Sequence, residues 1–324
     1  MPLTKKENQI SQNSPASHKT NKKADENKMP TAYSKSKIWL LAIRPKTLWA
    51  AVAPVIIGTA MAYEAGGFQL LAFLAALFGG TMIQIGTNLA NDYFDFKKGA
   101  DYQRELGPTR VTQAGLVSPT EIKTAMVLAF GLAFLAGIYL VYLAGWPIVA
   151  IGILSITFGV LYTTTKLALG YSGLADFFVL VFFGPVATGG TYYVQTLEIN
   201  SAVILAGLAP GLFSVAILTV NNLRDIETDK IAGKKTMAVR FGSTFAKAEY
   251  TIAIVTASLV PLVLWLMTKE HYRATFAAAV ILLALWPIRK VLSNKDGTEL
   301  NSVLAQTAQI LLLYSLLFSI GWLL

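Results

Sequence analysis

The sequence predicts an all-α, polytopic membrane protein of about nine transmembrane helices with a site that faces the cytoplasm. Three observations predict it. Apolar residues make up 54% of the 324-residue chain and charged residues 14%. Ordinary globular proteins carry about 25% charged residues, so this chain lacks the polar surface of a soluble globule. The apolar residues gather into charge-free stretches, each near the ~20 residues that one helical crossing requires. Lys and Arg fall between alternate stretches, almost all on one side of the implied membrane.

Residues 1–36 are rich in Lys, Ser, Asn and Pro and lack apolar periodicity. They are expected to form a disordered basic tail ahead of a transmembrane domain over 37–324. No apolar core of a signal peptide is present in them. The expected spans begin with Thr47–Tyr63 and Ala65–Asn91. Thr124–Thr165 runs 42 residues without a charge, enough for two crossings, and Gly145-Trp146-Pro147 near its middle predicts the turn of a hairpin. Phe177–Leu197, Ile199–Leu223 and Tyr250–Thr268 follow. Ala274–Ile288 is short but is extended by Tyr272 and Arg273, and Leu300–Leu324 is the ninth. Helices are required because lipid cannot satisfy an open sheet edge.

Nine spans put the termini on opposite sides. Counted by side, 25 of the 27 Lys and Arg residues lie with the N-terminus, and Lys269 and Arg273 alone lie opposite. The positive-inside rule then makes the N-terminus and the long loops cytoplasmic, in the plasma membrane. The net charge of +9 is read as this asymmetry, with lipid and not nucleic acid as the partner. The absence of Cys and the presence of only two His, His18 and His271, exclude thiolate chemistry, disulfide scaffolds and His-rich metal centres.

The chemistry is expected at the cytoplasmic ends of the second and sixth spans. There the chain reads Asn88-Leu-Ala-Asn91-Asp92-Tyr-Phe-Asp95-Phe-Lys97-Lys98-Gly99-Ala-Asp101 and Asn221-Asn222-Leu-Arg224-Asp225-Ile-Glu227-Thr-Asp229-Lys230-Ile-Ala-Gly233-Lys234-Lys235-Thr236. Helical spacing puts Asn88, Asp92 and Asp95 on one face, and Asn221, Asp225 and Asp229 on another. Acids at helix C-termini oppose the macrodipole by about 0.3–1 kcal/mol each, so two such clusters call for a cation. With no His or Cys nearby the ligands are hard oxygens, which favours Mg²⁺ completed by phosphate oxygens. Arg110, Arg224, Lys234 and Lys235 suit a diphosphate. Tyr162 and Lys166 share a helix face as a second diphosphate contact, against the plainer reading that Lys166 snorkels to the headgroups. Asp176, isolated from other charges beside a span, is a further candidate. A charged clamp above an apolar bundle implies an amphiphilic substrate.

At these residues, and in Leu41-Ala-Ile-Arg44-Pro45-Lys46-Thr47 and Gly107-Pro108-Thr-Arg110-Val-Thr-Gln113-Ala-Gly115, the sequence resembles the UbiA superfamily of intramembrane aromatic prenyltransferases. The resemblance runs from about Ile38 to the C-terminus. Its motifs are most similar to those of the branch that prenylates 1,4-dihydroxy-2-naphthoate in menaquinone biosynthesis. The interval from Asp95 to Asp101 is longer than in the branch that acts on 4-hydroxybenzoate.

The resemblance implies a UbiA-type bundle and transfer of a polyprenyl group from polyprenyl diphosphate to 1,4-dihydroxy-2-naphthoate, with loss of CO₂. It implies Asp92, Asp95, Asp225 and Asp229 as catalytic metal ligands, with Asn88 and Asn221 in support. Arg110, Lys166, Arg224, Lys234 and Lys235 would hold diphosphate or the naphthoate carboxylate. Another acceptor within the superfamily is one alternative. A cation-coupled transporter is the other, and it would place acids near mid-span, where this chain has none.

Overall fold

The structure, a computed structural model, describes residues 33–99, 106–107, 109–164, 173–293, 297 and 299–324. Residues 1–32 of the expected tail lie outside that set. The described elements are all helical. A short α1 (Lys35–Ile43) precedes α2 (Pro45–Glu64) and α3 (Leu70–Lys98). The hairpin follows as α4 (Pro119–Ala144) and α5 (Trp146–Thr164), turning at Gly145. Then come α6 (Ala175–Thr196), α7 (Ser201–Arg224), a two-turn α8 (Ile226–Ile231) and α9 (Met237–Thr268). The chain closes with α10 (Tyr272–Ser293) and α11 (Leu300–Leu323). Eight of these helices are long and apolar enough to cross a membrane, and Trp146–Leu161 supplies a shorter ninth apolar helix. The protein is a multi-pass membrane protein, and its eight long apolar helices with one shorter one are roughly consistent with the nine expected spans.

Local chemistry sets the helix ends. Pro45 opens α2, where its missing N–H costs nothing. Ser118 and Glu121 cap α4 reciprocally, Ser118 Oγ accepting from the Glu121 N–H at 3.2 Å and Glu121 Oε2 accepting from the Ser118 N–H at 2.9 Å. The helices are not all regular: α9 is kinked at Gly242 (φ 83°), α10 opens as a 3-10 helix over Tyr272–Ala279, and two further departures lie near the acidic segments. The helix α6 widens into a π-turn over Phe182–Val186, where Gly184 leaves helical geometry and Pro185 cannot donate. The acidic segment Asn221–Thr236 is not one continuous helix either, since the chain breaks between α7 and α8 at Asp225 (φ −101°, ψ 14°).

The helix α7 is the most deeply packed element, bordered by α2, α6, α9 and α11. Its Phe213 stacks at a tilt on Tyr314 of α11, with ring centroids 5.3 Å apart. Tyr250 of α9 is fully buried and shares a hydrogen bond with Thr307 of α11 at 2.8 Å. A second cluster joins α3 to α4 through Leu89, Ala90, Ile122 and Met126, and it takes Val111 and Val117 from the connection between them. That cluster presses the connection onto the end of α3.

Close helix approach depends on small residues, as expected where lipid gives no hydrophobic drive to association. A Cβ on Gly207 of α7 would lie 2.8 Å from Pro185 Cα of α6. Gly207→Ala should therefore lower the thermal unfolding midpoint of the purified protein, an overpacking cost of about 1–3 kcal/mol. Gly131→Ala in α4, where an added Cβ meets nothing within 4 Å, should leave the midpoint in place. Equal midpoints for both variants would contradict the tight α6–α7 contact.

Candidate active site

The first acidic segment is the end of α3. Gly99 terminates the helix, its N–H reaching the carbonyls of Asp95 and Phe96. The chain between α3 and α4 then folds back. Val111 is fully buried against α3, and its carbonyl accepts from the Leu116 N–H at 2.9 Å. That tight turn carries Arg110, whose Nη2 stands 3.3 Å from Asp95 Oδ2. Asn88 fastens the same helix to the α1–α2 elbow, donating to the Ile43 carbonyl at 2.9 Å and to Thr47 Oγ1 at 3.0 Å. The elbow residue Arg44 holds a left-handed conformation (φ 52°), a strained geometry for a non-glycine residue and one common at functional sites.

The second acidic segment is the α7–α8 break. Asp225 and Asp229 stay one turn apart, the Asp229 N–H donating to the Asp225 carbonyl at 2.8 Å. Gly233 ends α8 with φ +73°, the left-handed terminator that glycine adopts without penalty. The reversal returns Lys234, whose N–H donates to the Asp229 carbonyl at 2.8 Å and whose Nζ stands 3.1 Å from Asp229 Oδ1. The same Nζ is 4.0 Å from Asp95 Oδ2. Lys234 thus lies between the two acidic segments, which face each other across a cavity of about 190 Å³.

Asn88, Asn91 and Asp95 of α3 line this cavity, with Asn221, Asn222, Asp225 and Asp229 opposite and Arg44, Arg110 and Lys234 as its cations. A second cavity of about 540 Å³ is lined almost wholly by apolar groups of α2 to α6. Gln84, Thr87, Val179 and Phe183 line both cavities, so a polar chamber adjoins an apolar one. The π-turn of α6 supplies Phe183 to that junction.

Several expected site residues stand elsewhere. Asp92, 1% exposed, does not line the chamber. Its carboxyl faces the backbone of Val111 and Thr112 and lies near Arg44, while Asn91 lines the chamber. Arg224 does not line the chamber either. Its Nε and Nη2 fork onto the two carboxylate oxygens of Asp225 at 2.7 Å each, so it acts on a fellow site residue. Lys235 is exposed and lies outside the lining. Asp176 is 9% exposed and has both oxygens buried without a hydrogen-bond partner among the described residues. It lies outside both linings, near Glu249 of α9. Lys166, Asp101 and the side chain of Tyr162 lie outside the described residues. Arg44, Gln84, Asn91 and Asn222 join the chamber without having been singled out. Arg44 carried a signal, since the residue before a proline is driven out of the helical region.

The chamber suits a hard divalent cation. Asp95 Oδ1, Asn91 Oδ1 and, beside the lining, Asp92 Oδ1 are buried without a hydrogen-bond partner, and Asp225 and Asp229 add carboxylates opposite. Among the described residues no three acids converge into a closed metal cage. An open set of oxygen donors is what Mg²⁺ takes when phosphate oxygens complete its shell.

The model of the UbiA prenyltransferase family matches residues 51–318. The 1,4-dihydroxy-2-naphthoate octaprenyltransferase of Haemophilus influenzae is 38% identical over 296 residues, which is 89% of this chain and 96% of that protein. The enzyme of the same name from Bacillus subtilis is 31% identical over 290 residues, covering 88% and 91%. In fold, a UbiA homolog from Archaeoglobus fulgidus bound to GPP and Mg²⁺ superposes with a TM-score of 0.65 at 15% identity, covering 89% of this chain and all of that one. With the family model spanning most of the chain, and a relative at 38% identity matched nearly end to end, the chain belongs to the UbiA prenyltransferase family.

Proposed function

We propose that this protein transfers a polyprenyl group from polyprenyl diphosphate to 1,4-dihydroxy-2-naphthoate, releasing diphosphate and CO₂ and giving a demethylmenaquinol. The observation that carries the reading is the polar chamber opening onto the apolar cavity through shared wall residues. An amphiphile with an anionic head and a hydrocarbon tail fits that pair. The acceptor follows from the two naphthoate octaprenyltransferases, at 31% and 38% identity.

In this reading Asp95, Asp225 and Asp229 hold Mg²⁺ with Asn91, and Asp92 orients the turn that carries Arg110. A divalent cation bound there neutralises the diphosphate and assists cleavage of the allylic C–O bond. Arg110 and Lys234 meet the charge that grows on the leaving oxygens. These are preorganised cations, which lose little on reorganisation. The electron pair of the C–O bond leaves with diphosphate. The ring carbon that bears the carboxylate then forms the new C–C bond. The C–CO₂ bond breaks, its electrons restore the ring, and CO₂ departs. Arg44 gives the chamber a third cation, needed because both substrates are anionic. The apolar wall from Val179 and Phe183 excludes water from the allylic cation. We place the chamber on the cytoplasmic side of the plasma membrane, on the 25 to 2 division of Lys and Arg.

The acceptor is tested with purified protein in lipid, offered one prenyl diphosphate and equal concentrations of 1,4-dihydroxy-2-naphthoate and 4-hydroxybenzoate. Prenylated naphthoate with stoichiometric CO₂ is expected, and hydroxybenzoate as the preferred acceptor would overturn the assignment.

Asp95→Asn and Asp229→Asn should each lower kcat by about 100-fold or more, the scale for losing a preorganised charge-stabilising group. Asp92→Asn should cost clearly less, because its side chain is not part of the chamber lining. Chelation should stop turnover and added Mg²⁺ should restore it. A larger loss in Asp92→Asn than in Asp95→Asn would reverse the ligand assignment.

Sidedness is accessible because the chain has no cysteine. Glu227→Cys on α8 and Glu270→Cys after α9 are both exposed positions. An impermeant maleimide should label the first only in inside-out vesicles and the second only in right-side-out vesicles. The reverse pattern would place the chamber on the opposite face.

A further inference from the structure

One joint outside the chamber reaches both of its acidic segments. Asn301, in the first turn of α11, makes two hydrogen bonds of opposite sense. Its Nδ2 donates to the Leu106 carbonyl at 2.6 Å. Its Oδ1 accepts from Arg224 Nη1 at 2.7 Å. Leu106 belongs to the α3–α4 connection that carries Arg110 to Asp95. Arg224, with its side chain 1% exposed, forks onto Asp225 and also donates from Nη2 to Asn221 Oδ1 at 2.6 Å. The turn ahead of α11 is shaped to receive both parts. Gly297 has φ +79°, and a Cβ there would lie 3.1 Å from Leu106 Cδ1 and 3.5 Å from the Arg224 carbonyl.

We infer that Asn301 is a positioning residue that ties the Arg110-bearing connection and the Arg224–Asp225 fork to one point, fixing the separation of the two acidic segments. An amide is the side chain for this task, because it carries a donor at one end and an acceptor at the other. A carboxylate keeps the acceptor for Arg224 but has nothing to donate to Leu106. An aliphatic chain has neither. Arg224 is the reason the acceptor matters. Released from Asn301, its guanidinium keeps Asp225 and Asn221 but loses the bond that ties the fork to α11. The Asp225 oxygens would then wander relative to Asp95 and Asp229 across the chamber. The inference deepens the proposed function, and it rests on Asp225 serving there as a metal ligand.

The test uses the full chain in lipid nanodiscs as wild type, Asn301→Leu and Asn301→Asp, with hydrogen exchange and Mn²⁺ binding followed by electron paramagnetic resonance. Asn301→Leu should speed exchange in both 106–112 and 221–229 while the remaining helices keep their protection. Asn301→Asp should speed exchange in 106–112 alone, and it carries the test if the leucine variant fails to fold. Mn²⁺ affinity in Asn301→Leu should fall about 10-fold to 100-fold, the usual effect of losing a residue that orients a ligand. Its kcat should fall with the KM for the acceptor unchanged. Faster exchange in both segments with unchanged Mn²⁺ affinity would uphold the joint and refute the metal role of Asp225. Unchanged protection of both segments in both variants would overturn the inference.

Discussion

Two acidic helix ends facing each other across a narrow chamber repel unless cations stand between them, and much of this fold is organised around supplying those cations. Lys234 occupies the gap, 3.1 Å from Asp229 and 4.0 Å from Asp95. It is there only because Gly233 turns the chain back at the end of α8. Arg110 reaches Asp95 only because Val111 is packed onto α3. Arg224 reaches Asp225 from the adjacent position and is held by α11. Three separate pieces of chain therefore converge on carboxylates that would otherwise be costly to bury. Both oxygens of Asp225 accept from Arg224, Lys234 stands beside Asp229 and Arg110 beside Asp95, while Asp95 Oδ1 and Asn91 Oδ1 keep no hydrogen-bond partner.

The bundle fits the same logic to the membrane. The polar chamber sits at the ends of α3 and α7, where the charge-free stretches stop. The apolar cavity begins at the wall residues the two share. Gly184 and Pro185 break α6 at this level, and the break brings Phe183 to the junction. A regular helix would present a different residue there. The break is accommodated by glycines of α7, Gly207 and Gly211, which meet the backbone of α6 with no side chain between.

The order of the spans, and their number to within one short helix, were legible in the sequence because a bilayer imposes a strong rule on it. Charges end spans, and Gly145 breaks the one stretch too long for a single crossing. The two acidic segments were legible because carboxylates at the ends of such spans have few structural uses. Which side of α3 faces the chamber was not legible. Asp92 and Asn91 are one residue apart, about 100° around the helix, and only the packing of Val111 and Thr112 from a distant turn decides between them. Arg224 looked like a phosphate ligand by residue type, but its neighbour Asp225 occupies its fork. Asn301 could not be singled out, since its meaning lies in partners 195 and 77 residues away.

The central claim is that the head of an amphiphile sits between the two acidic segments while its chain runs past Phe183 into the apolar cavity. A structure of the protein in nanodiscs with Mg²⁺ and a non-hydrolysable prenyl thiodiphosphate tests it most directly. The account predicts diphosphate density between Asp95 and Asp229, in contact with Arg110 and Lys234, and chain density between α3 and α6 along Val179 and Phe183. A diphosphate bound outside this chamber, or a chain that leaves it between α7 and α9, would contradict the account.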